Sequence, residues 1–195
     1  MPYDLNPLRK TLRQQRRALS EFQQRQAGQA ILSRLIRIPE FQQAGKIGVY
    51  LHAFGEVHTQ SIMQYCFARG KAVYLPMICS MNQRLAWVRI SQHQYRSRRF
   101  AHHPLGMKEP MQARGLHVSK LDLLIMPLLA CDIYGTRIGM GGGFYDKTLA
   151  SAPGKPCRLG LAHDFQCMPQ ALPREAWDQP LDALLTPRGF KRFKR

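Results

Sequence analysis

The apolar positions of the first twenty residues recur at helical spacing. Leu5, Leu8, Leu12 and Leu19 fall on one stripe and predict an amphipathic helix over 5–19. Arg9, Arg13, Arg16 and Arg17 lie beside that stripe on a basic flank. Ser20 with Gln23 has the form of a capping box and opens a second helix to about Arg37, with Ala27, Ile31 and Leu35 inward and Pro39 ending it. The period then changes. Residues 46–51 read as a strand and 58–69 as a helix through Ile62, Met63, Cys66 and Phe67, with Gly70 as its C′ stop. Residues 72–76 read as a second strand, and this β-α-β rhythm predicts a parallel sheet. Further strands are expected at 85–90, 121–126, 157–162 and 181–186 and a helix at 142–151, while 91–120 reads as mostly irregular and basic. No repeat or low-complexity linker interrupts the chain. The expectation is an α/β fold: a single domain over 1–195, with a mostly parallel central sheet flanked by helices and an N-terminal helical pair. The basic run 188–195 reads as a solvated end.

Length and composition bound this picture. A chain of 195 residues, 45% hydrophobic and 21% charged, is long enough to bury a core and ordinary for a globular protein. No apolar run approaches the ~20 residues of a membrane helix, and the N-terminus has no signal-peptide h-region. The five cysteines are scattered and never form a CxxC pair, so they read as reduced thiols and the protein as cytoplasmic. The charge is less ordinary. Twenty-nine Lys and Arg against 12 Asp and Glu give +17, which attracts anions: nucleotides, anionic small substrates or nucleic acid. No RNP, KH or helix-turn-helix signature accompanies it, so nucleic acid binding is expected to be at most non-specific.

The densest chemistry lies at Gly135-Thr136-Arg137-Ile138-Gly139-Met140-Gly141-Gly142-Gly143-Phe144-Tyr145-Asp146-Lys147. Four glycines in five positions leave a bare backbone that can turn its amides toward an anion. Arg137 precedes them as a fork suited to phosphate oxygens, and a helix follows them. Asp146 is oddly placed for an anion site unless a cation bridges it to phosphate, which points to Mg²⁺ on a nucleotide. A glycine-rich surface turn is the plain alternative. Neither GxxxxGK[ST] nor a dinucleotide GxGxxG with its acidic partner is present.

Other constellations are weaker. Glu56, after the first strand, is either an acceptor for a polar ring or favourable charge at a helix start capped by Thr59. His102-His103 and the pair His52 and His58 lack ligand-spaced partners and read as surface residues. No GxSxG elbow offers a nucleophile. Asp178, in Trp177-Asp178-Gln179-Pro180, is either a turn residue or a second oxygen ligand complementing Asp146.

Taken in order, these segments resemble the 5-formyltetrahydrofolate cyclo-ligase family over nearly the whole chain. The resemblance is carried by Leu8-Arg9-Lys10-x-Leu12-Arg13, Gly55-Glu56-Val57-x-Thr59, Gly70-Lys71-x-Val73-Tyr74-Leu75-Pro76 and Asp122-Leu123-Leu124-Ile125-x-Pro127. The glycine loop through Tyr145-Asp146, Gly160-Leu161-Ala162-x-Asp164-x-Gln166 and Asp178-x-Pro180-Leu181-Asp182 complete it. The resemblance implies an ATP- and Mg²⁺-dependent ligase that closes 5-formyltetrahydrofolate to 5,10-methenyltetrahydrofolate. It implies ATP contacts from Arg9, Lys10, Arg13, Arg137, Gly139, Met140, Gly141, Gly142, Gly143, Phe144 and Tyr145. Substrate would meet Leu51, Glu56, Gly142, Phe144 and Tyr145, the metal Asp146 and Asp178, and Tyr145 and Arg137 would serve the reaction. The partners implied are ATP and the folate, with or without a polyglutamate tail, bound by a monomer without a membrane. Two positions depart from the family. Leu5 stands near a usual basic residue one turn before Arg9, and Leu105 stands where some members stack an aromatic on the folate.

Overall fold

The computed structural model describes residues 4–112 and 114–194 of the chain; Arg195, the end of the basic run, lies outside them. The first helix, α1 (Asn6–Ala18), has Pro7 in its opening turn, where a missing N–H costs nothing. Its stripe packs as expected: Leu12 is buried, and Leu5 and Leu8 cover Leu129, Ala130 and Ile138. The second, α2 (Glu21–Leu35), starts with both halves of the Ser20–Gln23 capping box formed and buries Ala27, Ile31 and Leu35. Pro39 does more than end it, because it opens a short α3 (Pro39–Gln43). The remaining helices are α4 (Gln60–Ala68), α5 (Gln92–Ser97) and α6 (Phe144–Leu149). None of the helices among the described residues is long and apolar enough to cross a membrane.

The strands are β1 (Lys46–Gly48), β2 (Ala72–Cys79), β3 (Arg84–Ile90), β4 (Phe100–His102), β5 (Lys108–Pro110), β6 (Leu123–Pro127), β7 (Ala130–Cys131), β8 (Arg137–Ile138), β9 (Cys157–Leu161), β10 (Ala183–Leu185) and β11 (Phe190–Arg192). Seven form one sheet in the order β11-β10-β9-β6-β1-β2-β3. The five inner strands are parallel, and β3 and β11 close the two edges antiparallel. Both faces of the sheet are covered. Along β6, Leu123 and Ile125 join Ile31, Phe41 and Met63 on the helical side, while Leu124 and Met126 join Trp87, Leu149 and Leu181 on the other. A strand buried on both faces reads as one apolar run, which is why it was visible in sequence. Asp122 precedes it and accepts from the amides of Gly45 and Lys46 at 2.9 and 2.7 Å, which ties the starts of β6 and β1.

The structure corrects the sequence reading in four places. First, the basic run is not a solvated end: Phe190–Arg192 is an edge strand paired with β10, and Arg192 grips Glu40 at 2.9 Å. Lys and Arg are ordinary equipment for an edge strand, where they discourage further pairing. Second, the irregular region 91–120 contains α5 and the hairpin β4–β5. Third, β1 ends at Gly48, three residues sooner than expected, because the chain turns away into the loop that carries Glu56. Fourth, α6 begins at Phe144 and not at 142, so the glycines stay outside the helix.

Gly48 is where close packing permits no side chain. A Cβ there would come within 2.6 Å of Leu121 Cδ1 and 3.0 Å of both Leu124 Cδ1 and Trp87 Cζ3. Gly48→Ala is therefore expected to lower the unfolding free energy by about 1–3 kcal/mol, read by urea unfolding at constant slope.

Chain order reverses between β1 and β6: β2 and β3 lie on one side, and β9 and β10 on the other. The crevice at the carboxyl ends of such strands is where open α/β sheets take ligands.

Candidate active site

A cleft of about 1020 Å³ opens at that switch point. Tyr50 and Leu51 line it from the end of β1, and Pro127 and Leu128 from the end of β6. The glycine loop forms another wall. It leaves the short ribbon β7–β8 rather than a strand of the main sheet, and the ribbon is set by Asp132, whose Oδ1 accepts from Tyr134 and Thr136 amides at 2.8 and 2.9 Å. Helix α1 lies across the loop. Arg9 Nε donates to Gly139 O at 3.2 Å and Arg13 Nη2 to Met140 O at 3.0 Å. These bonds fix the loop through its carbonyls. Gly141 and Gly143 take φ of +107° and +64°, values that side chains rarely tolerate.

Arg137 comes from β8 with its side chain 4% exposed. Its Nη2 donates to both carboxylate oxygens of Asp146, at 3.1 and 3.0 Å, and its guanidinium lies 5.5 Å from the Tyr145 ring centre. Gly139 fits closely beside it, since a Cβ there would be 2.8 Å from Arg137 Nη1 and would push the guanidinium aside. Asp146 is held from a second side by the Gln179 amide at 3.1 Å, which brings the 173–180 segment to α6. Asp178 then lines the same cleft, with Oδ2 accepting from the Glu175 amide at 2.8 Å. Two carboxylates on one cleft, one beside an arginine, are oxygen donors of the kind Mg²⁺ uses together with substrate phosphates. No group of three His, Cys, Asp or Glu able to hold a metal by itself occurs among the described residues.

Opposite the loop, the 53–56 turn presents Glu56. Its Oε2 accepts from the Ala53 amide at 3.0 Å, and Arg16 Nη1 lies 3.9 Å from Oε1. Burial pushes this carboxyl up to about 7, against the opposing pull of the Ala53 N–H and Arg16. The expectation of Glu56 as helix-start charge is not realised in this geometry: α4 begins at Gln60, and the Thr59 hydroxyl donates to Tyr50 O at 2.7 Å instead of capping it. Burial, then the charge of Glu56, pushes the Tyr145 hydroxyl well above its ordinary range, so it stays protonated and able to donate. Tyr50 is raised for the same reasons, and its hydroxyl donates to Val57 O at 3.0 Å.

The remaining expected residues divide. Leu51, Arg9, Met140, Gly142 and Phe144 line the cleft, as do Leu5 and Leu105 at the two departures from the family pattern. Arg13 reaches the loop but not the cleft lining, and Lys10 is exposed and outside it. His52 stacks on His58 at 4.2 Å, with burial pushing His52 down to about 4, a neutral pair away from any ligand cluster. One residue was missed. Arg16 is 1% exposed and lines the cleft, although the sequence placed it on the basic flank. The signal was its position one turn beyond Arg13 and two beyond Arg9.

Comparison with known proteins shows the family. The model of the 5-formyltetrahydrofolate cyclo-ligase family matches residues 4–187. The 5-formyltetrahydrofolate cyclo-ligase of Escherichia coli K12 is 38% identical over 179 residues, which cover 90% of this chain and 96% of that one. The enzyme of the same name from Haemophilus influenzae is 34% identical over 188 residues, 91% of this chain and 95% of its own. The solved structure of Aquifex aeolicus 5,10-methenyltetrahydrofolate synthetase superposes with a TM-score of 0.83 at 28% identity, over 98% of this chain and 94% of that one. Matched by the family model over most of its length and by relatives of more than 30% identity, the chain belongs to the 5-formyltetrahydrofolate cyclo-ligase family and is a ligase.

Proposed function

We propose that this protein converts 5-formyltetrahydrofolate and ATP to 5,10-methenyltetrahydrofolate, ADP and phosphate. The observation that carries the reading is the pairing of the glycine loop with Arg137 and Asp146 on one wall and the buried acceptor Glu56 on the facing turn. The first suits a nucleotide phosphate, and the second suits the N–H edge of a pterin ring.

In this reading the amides of Gly139 to Gly143, with Arg9 and Arg137, hold the triphosphate, and Arg13 acts by fixing the loop. Glu56, Leu51 and Phe144 seat the folate so that its formyl oxygen faces the terminal phosphate. That oxygen attacks phosphorus and ADP departs. N10 then adds to the activated formyl carbon and gives up its proton to solvent, and the C–O bond breaks to release phosphate and leave the methenyl bridge. Tyr145 donates toward the formyl group, and Arg137 stabilises charge on the transferring phosphoryl group. Such a transfer depends on position and electrostatics, which is why no enzyme nucleophile is needed. Asp146 and Asp178 would hold Mg²⁺, which neutralises phosphate charge when bound. The high positive charge, +17, raises the local concentration of both anionic substrates.

Oxygen labelling tests the route. With ¹⁸O in the formyl group, the phosphate released in ordinary water is expected to carry the label. Unlabelled phosphate would mean that the formyl oxygen is never phosphorylated.

A further inference from the structure

A buried arginine with no short carboxylate contact is costly unless its position is used. Arg16 is such a residue. Its Nη1 donates to Leu128 O at 3.3 Å and stands 3.9 Å from Glu56 Oε1, while Nη2 reaches Met140 Sδ at 3.7 Å. One guanidinium thus touches the end of β6, the 53–56 turn and the glycine loop. The turn also packs against the main chain of the same residue: a Cβ on Gly55, at φ +77°, would lie 2.5 Å from Arg16 O. The same turn is gripped by Gln24 and His163, which reach Gly55 O at 3.1 Å each.

We propose that Arg16 is a positioning residue that pairs with Glu56 and aims it as the acceptor for the folate ring, and braces the glycine loop through Met140. The proposal rests on Glu56 being the ring contact. The other described groups beside the Glu56 carboxylate bring no counter-charge. Tyr50 comes from the end of β1 and Tyr145 from α6, both held in their neutral form, and Ala53 gives one N–H. Arg16 is the one cation among the described groups acting on it.

The test is the affinity for 5-formyltetrahydrofolate without nucleotide, measured by calorimetry across about pH 6 to 9. In the unchanged protein the affinity falls as Glu56 takes a proton near 7. Removing the cation in Arg16→Met raises the midpoint of that fall by about one pH unit or more, so affinity at neutral pH drops about fivefold or more and recovers in alkali. Arg16→Gln serves the same comparison if the Met variant does not fold, and Arg16→Lys, which keeps the charge, keeps the original midpoint. Glu56→Gln binds weakly, with a flat profile. An Arg16→Met or Arg16→Gln protein that loses affinity equally at every pH overturns the proposal, since a merely structural arginine would not move the midpoint. A Glu56→Gln protein with unchanged affinity and profile overturns the ring contact itself, and this proposal with it.

Discussion

Changing Asp146 to Asn is expected to lower kcat by about two to three orders of magnitude, with a stability loss of about 1–3 kcal/mol. The two effects separate because the side chain does two jobs. As a fold contact, Asp146 accepts from the Gln179 amide and from Arg137, and an Asn oxygen can still accept from both. As a charge, it is one of two cleft carboxylates proposed for Mg²⁺, and Asn offers a neutral oxygen that binds a hard cation far more weakly. The Mg²⁺ concentration for half-maximal rate is therefore expected to rise along with the fall in kcat. Asp178→Asn is expected to move the same quantities less, since that carboxylate also closes its own turn on Glu175. Turnover measured across a magnesium series, with thermal melts on the same samples, checks this. Losses of melting temperature and activity that simply track one another would make Asp146 a structural residue.

Arg137→Lys is expected to cost about a hundredfold in kcat, more than it changes KM for ATP. The charge survives, but the planar fork does not. In the structure the guanidinium is nearly sealed from solvent, carries Asp146 on Nη2, and has Gly139 fitted against Nη1, so both edges are shaped to a flat group. An ammonium can reach one oxygen at a time and leaves the Gly139 side open. Since the proposed role is to stabilise charge on the phosphoryl group in flight, the loss belongs in kcat. A variant with unchanged kcat and a raised KM would show that Arg137 only binds ground-state phosphate. Gly139→Ala should act in the same direction by displacing Nη1, with Arg137 itself intact.

The sequence carried the frame of this fold and most of one wall of its site. Helix α1 was legible because Leu5, Leu8 and Leu12 repeat at helical spacing, and β6 because a strand buried on both faces is a continuous apolar run. The Ser20–Gln23 box fixed the start of α2 by local chemistry alone. The glycine loop was legible for the same reason, since its residues are neighbours in the chain. Elements that depend on distant pairing were not. The strand β11 is three residues at an edge, two of them charged, and β7 and β8 are two residues each, too short for any alternation to register. Arg16 shows the limit within a helix that was correctly expected. Its spacing placed it near Arg9 and Arg13, but only the docking of α1 on the 53–56 turn makes it a buried cation beside Glu56. The juxtaposition of Asp146 with Asp178 likewise depends on a contact between Gln179 and α6 across 33 residues. The folate itself came from family resemblance, because nothing in a buried carboxylate distinguishes one N–H-bearing ring from another.

The most direct test of the account is turnover followed by the near-ultraviolet absorbance of the methenyl product. Purified protein is mixed with 5-formyltetrahydrofolate and ATP, with and without Mg²⁺, and with EDTA as control. The expected result is an absorbance rise that requires both ATP and Mg²⁺ and releases one ADP per methenyl group formed. A flat trace from folded protein that binds both ligands, or a rise that proceeds without ATP, would contradict it.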